Sequence, residues 1–129
     1  MNYINSEIKE INNELKDINN KSKEVNNKSK EVNNELKENN IIKMQKYAIL
    51  FDYCIYGKLD KVKKMVNEGL EIDEDTFGYT CYFGQFNVAK WIYQIDPDKY
   101  YKIISDKKWT DAVKLSGHPH IYSWMLSLQ

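Results

Sequence analysis

The chain has 129 residues, room for one modest domain, and balances 19 lysines against 19 acidic residues with no arginine. A balanced charge gathers no polyanion, and without arginine there is no planar, bidentate reader of guanine or phosphate, so nucleic acid is excluded as the expected partner. No run of about 18 apolar residues occurs, which excludes a membrane-spanning helix, and two cysteines, Cys54 and Cys81, are too few for a disulfide scaffold and fit a reducing compartment.

The N-terminus, Met1-Asn-Tyr-Ile-Asn-Ser-Glu7, lacks the basic start and apolar core of a secretory signal, so an intracellular location is expected. From Ile4 the chain then repeats every seven residues through Leu36. Ile4, Ile11, Ile18, Val25 and Val32 take heptad position d, and Ile8, Leu15, Ser22, Ser29 and Leu36 take position a, which describes a coiled-coil seam on one long helix. The apolar members, Ile4, Ile8, Ile11, Leu15, Ile18, Val25, Val32 and Leu36, are the expected oligomerisation residues. β-branched residues at every d argue against a parallel dimer and lean toward a trimer or tetramer. Ser22 and Ser29 thin the seam at its centre, and asparagine at every e position removes the usual charge pairing between e and g. The alternative is an asparagine- and lysine-rich tail expanded by duplication and only partly helical.

Dense apolar residues begin at Ile41, so residues 1–40 read as a heptad helix and residues 41–129 as a globular domain. No Pro or Gly intervenes before Gly57, and a helix over 47–56 can continue the N-terminal one. Gly57 turns the chain into a stripe of Leu59, Val62, Met65 and Val66 that stops at Gly69. A polar connector follows, with Asp75 or Thr76 as the cap of a short aromatic helix over 76–83. Gly84 turns into Phe86, Val88, Ala89, Trp91, Ile92 and Ile95, a helix stopped by Asp96-Pro97. Tyr100, Tyr101, Ile103 and Ile104 fall in a longer connector. Ser105-Asp106 starts the next helix, Gly117 turns it, and Ile121 to Leu128 closes the domain.

Gly57 and Gly84 are 27 residues apart and Gly84 and Gly117 are 33 apart, the second interval being the period of an ankyrin repeat. Gly84-Gln-Phe-Asn-Val-Ala-Lys-Trp-Ile92 with its Ile95-Asp-Pro97 exit resembles divergent ankyrin repeats of proteins from large DNA viruses of amoebae. Gly57-Lys-Leu-Asp-Lys-Val62 and Gly117 with Trp124 keep parts of the same pattern. The resemblance covers residues 47–128 and implies an all-α fold in which about three helix-turn-helix units, near 47–70, 75–97 and 106–128, stack behind the N-terminal helix. Gly57, Leu59, Val62, Gly84, Phe86, Val88, Trp91, Gly117, Ile121 and Trp124 would be its structural residues. It further implies a non-enzymatic protein-interaction module with an unidentified protein partner, in the host cytoplasm for a viral protein. The Thr-Pro-Leu-His entry is absent and the first interval is short, so no regular β-hairpin is expected between the first two units.

Asp73, Glu74, Asp75, Tyr79, Asp96 and Asp98 occupy or border the connectors that repeat proteins use for recognition, and are the candidate partner-binding residues. Cys54 and Cys81 each precede a repeat glycine by three residues and read as small packed hydrophobes. His118-Pro-His120 has no third ligand nearby, the lysines at 58, 61, 63 and 64 read as the solvated side of one helix, and no catalytic constellation has supporting context. No enzyme activity, metal or cofactor is expected. Two other readings remain open: a structural coiled-coil oligomer with a small helical cap, and a decayed fragment of a longer repeat protein.

Overall fold

A computed structural model describes residues 2–129, and among them every regular element is helical. Seven helices follow in order: α1 (Asn2–Ile55), α2 (Leu59–Asn67), α3 (Glu74–Tyr82), α4 (Phe86–Ile95), α5 (Pro97–Ile104), α6 (Lys107–Leu115) and α7 (Pro119–Ser127). The chain divides into two compact units, Met1–Lys43 and Met44–Gln129.

The first unit contains only the N-terminal part of α1. Its described residues all belong to one uninterrupted helix, and all are exposed. With no glycine or proline in the stretch, nothing breaks the backbone hydrogen-bond ladder.

The second unit is built from helix pairs folded back at glycine turns. The end of α1 pairs with α2 through Gly57, α3 with α4 through Gly84, and α6 with α7 through Gly117, and these glycines have φ of 74°, 81° and 84°. At the first two turns the hydrogen bonds are those of a Schellman cap. Gly57 N–H donates to the Cys54 carbonyl and Lys58 N–H to Tyr53, while Gly84 N–H donates to Cys81 and Gln85 N–H to Thr80. Each turn thus satisfies the last carbonyls of one helix while launching the next.

Two details differ from the sequence expectation. Asp73, rather than Asp75 or Thr76, caps α3, its Oδ1 accepting from Thr76 N–H at 2.7 Å. The helix therefore starts at Glu74 and places Glu74 and Asp75 in its first turn, where the helix dipole favours negative charge. The stretch expected as a connector before Ser105 is helix α5. Asp96 Oδ1 accepts from Lys99 N–H at 3.2 Å and Pro97 occupies the first helical turn, where its missing N–H costs nothing. The Asp-Pro pair that ends α4 also begins α5. As expected, no strand lies between Asn67 and Glu74.

One face of α5 supplies Tyr100, Ile103 and Ile104 to a core shared with Leu50, Phe77, Ile92 and Met125. Phe77 stands at its centre, 5.0 Å from Tyr100 and 6.5 Å from Trp124 between ring centroids. The buried Tyr100 hydroxyl donates to the Ile72 carbonyl at 2.6 Å, and Gln129 Nε2 donates to the Ile104 carbonyl at 2.6 Å. Among the described residues no buried side-chain nitrogen or oxygen lacks a partner, as a well-formed core requires.

Candidate interaction surface

In the first unit the heptad positions form a continuous exposed stripe. Ile4, Ile8, Ile11, Leu15, Ile18, Val25, Val32 and Leu36 are each at least 50% exposed. A helix gains nothing from such residues in water, so the stripe is apolar surface with no partner within its own unit.

In the second unit the repeat-structural residues serve the stacking of the helix pairs. Val88 and Ile121 are buried four residues after their turn glycines and Val62 five residues after Gly57, and Leu59, Phe86, Trp91 and Trp124 pack around them half-buried. The turns themselves are in register. Gln85, which follows Gly84, lies against Gly57 and donates through Nε2 to the Ile55 carbonyl at 3.0 Å. His118, which follows Gly117, lies against Gly84 in the same way. A Cβ at Gly84 would run into the His118 imidazole, whereas nothing comes within 4 Å of the Cβ position at Gly117. Each turn glycine therefore makes room for the first residue after the next turn, and Gly117 has no such neighbour.

Sequence reasoning did not identify Gln85 as a contact between units. The signal was present, since Lys58, Gln85 and His118 each follow a turn glycine directly. The same holds for Gly78, which admits the Trp109 ring of α6 so closely that a Cβ there would overlap it.

The candidate partner-binding residues do not form one surface. Asp73 and Asp96 are committed to capping α3 and α5. Glu74 pairs with Lys102 of α5 at 3.7 Å, an exposed contact of small energetic weight. Asp75 stays exposed in the first turn of α3 and Asp98 in that of α5. Tyr79 stands apart, edge-on to Phe51 at 5.7 Å and to Trp109 at 5.2 Å. Between Gly69-Leu70-Glu71-Ile72 and the Asp96–Tyr100 stretch lies a cavity of ≈ 320 Å³. Burial, with the Asp96 and Asp73 charges adding to it, pushes the Tyr100 hydroxyl well above its ordinary value, so it remains a neutral donor.

Cys54 and Cys81 are fully buried, and neither is in a disulfide. Burial pushes both thiols up to about 12, a shift that the Thr80 hydroxyl partly offsets at Cys54. Thiols held so far from ionisation are poor nucleophiles. Lys61 lies over the Tyr53 ring and Lys63 over Trp91, so part of the lysine set packs on aromatic faces. Among the described residues no group of three or more His, Cys, Asp or Glu is placed to hold a metal ion, and no helix is long and apolar enough to cross a membrane. No family model, curated protein or solved structure matches the chain.

Proposed function

We propose that this chain is a non-enzymatic protein-interaction module, in which a small ankyrin-like block of paired helices is brought into several copies by its N-terminal heptads. The observation that carries the reading is the exposed stripe from Ile4 to Leu36, eight apolar residues in heptad order on one helix. Self-association removes that stripe from water, and linked copies of the repeat block then meet a partner at raised effective concentration. The in-register turns at Gly57, Gly84 and Gly117 support the repeat-block half of the reading. The two buried free thiols agree with a reducing, intracellular setting, and the resemblance to viral repeat proteins makes that setting the host cytoplasm.

Sedimentation of the full chain tests the assembly. The wild type is expected to associate with rising concentration. The Ile11→Glu/Ile18→Glu variant should need at least about tenfold more protein to do so, since each buried isoleucine contributes about 1.5–3 kcal/mol. A wild type that stays monomeric throughout would remove multivalency from the function.

A further inference from the structure

The exposed stripe of α1 carries information about its own partner in the charges beside it. With Ile4 at d and Ile8 at a, the g positions are Glu7, Glu14, Lys21, Lys28 and Glu35, and the e positions Asn5, Asn12, Asn19, Asn26 and Asn33. The g charges fall in blocks, two acidic and then two basic, while the e side is neutral throughout. In a parallel pair g faces e of the other helix, so each of these charges would face an asparagine. In an antiparallel pair g faces g.

We propose that the stripe is covered by the same stripe of a second copy of this chain running antiparallel, in the register that sets Leu15 of each copy against Ile18 of the other. The proposal rests on the self-association reading above and adds its partner, direction and alignment. In this register Glu14 of each copy faces Lys21 of the other and Glu7 faces Lys28, giving four opposite-charge contacts and no like-charge contact. Shifting by one heptad toward fuller overlap covers Val32 and Leu36, but sets Glu7 against Glu35 twice and Lys21 against itself. Shifting by two heptads opposes Glu14 to Glu35 and Lys21 to Lys28.

The seam agrees with the direction. A parallel pair stacks Ser22 on Ser22 and Ser29 on Ser29, two layers with no apolar contact. Reversing one helix brings a against d, so Ser22 meets Ile11 and Ser29 meets Ile4, and no layer is without a large apolar side chain. The preference of β-branched d residues for three or four strands belongs to parallel assemblies, where d meets d. Here every layer joins one a to one d, and two strands suffice.

Two full-length single-cysteine variants test this directly. Leu15→Cys and Ile18→Cys, one carrying a cleavable tag, are mixed in a glutathione redox buffer so that disulfides equilibrate. The native Cys54 and Cys81 are 0% exposed and take little part. The expected product is the mixed disulfide between the two variants. Disulfides of each variant with itself indicate a parallel pair and overturn the proposal, as does a sedimenting dimer that forms neither product. A wild type that is monomeric by sedimentation overturns the self-association reading itself, and so is distinguished from a wrong direction or register.

A charge swap gives a second readout that leaves the apolar seam intact. Glu7→Lys/Glu14→Lys converts four attractive contacts into four repulsive ones and is expected to raise the dimer dissociation constant about 30-fold at low salt. Adding Lys21→Glu/Lys28→Glu should restore it. Equal association of the wild type and the Glu7→Lys/Glu14→Lys variant overturns the proposal.

Discussion

At the scale of single residues, the turn glycines separate two costs that usually occur together. Gly84 and Gly117 have nearly the same positive φ, 81° and 84°, so alanine at either pays about 1 kcal/mol for a left-handed backbone. Only Gly84 also faces a neighbour, His118. Gly84→Ala is therefore expected to destabilise the domain by about 2–3 kcal/mol in urea unfolding, against about 1 kcal/mol for Gly117→Ala. The His118→Ala background should recover the difference, because the coupling lies between those two residues. Equal losses at Gly84 and Gly117 would contradict the register of the turns. The buried thiols give a pH dependence. Cys54 and Cys81 ionise near 9.0 when unfolded and at about 12 when folded, and the Tyr100 hydroxyl is also raised above its ordinary 10.0. Alkali thus takes protons from the unfolded chain first, and stability present below pH 9.0 falls as the pH climbs toward 12. Thermal melts from pH 7 to 11 should show a fall beginning near the ordinary thiol value, made shallower by Cys54→Ala/Cys81→Ala.

At the scale of elements, α5 depends on a two-residue signal that serves two helices. Asp96 accepts from Lys99 N–H while Pro97 fills the first turn, so Asp96→Ala is expected to cost about 1 kcal/mol in chemical denaturation, the usual weight of an N-cap. Asp98→Ala, which removes a charge but no cap bond, should change stability by less than half of that. The same pair shows where sequence reading stopped. The paired helices around Gly57, Gly84 and Gly117 were legible because glycine and apolar spacing are local signals. Helix α5 was not, because proline read as a stop conceals proline acting as a start, and eight residues are too few for apolar periodicity to assert itself. Contacts such as Gln85 with the Ile55 carbonyl, or Trp109 over Gly78, join residues about thirty positions apart and depend on how the pairs stack. On α1 the heptad stripe itself was plain, since a seven-residue repeat needs no tertiary information. Filling its centre with Ser22→Leu/Ser29→Leu should strengthen association at least about tenfold by sedimentation, because each exchange replaces a hydroxyl with a buried apolar side chain.

At the scale of the whole molecule, the two units divide the work by composition. The first is polar except for one stripe, which has no partner within its own unit. The second holds its own core, from Leu50 to Met125, and needs no partner to satisfy its buried polar groups. The candidate surface was only partly legible. Of the acidic connector residues read as a recognition edge, two, Asp73 and Asp96, serve as helix caps, so their chemistry is spent on the fold. Asp75 and Asp98 remain free of that duty and exposed. The central claim, that the heptads assemble the chain while the repeat block folds by itself, is tested most directly by hydrogen exchange of the full-length protein at increasing concentration. Amides of residues 4–36 should gain protection as the protein is concentrated, while those of residues 50–125 keep the same protection throughout. Protection over residues 4–36 that does not change with concentration would contradict it.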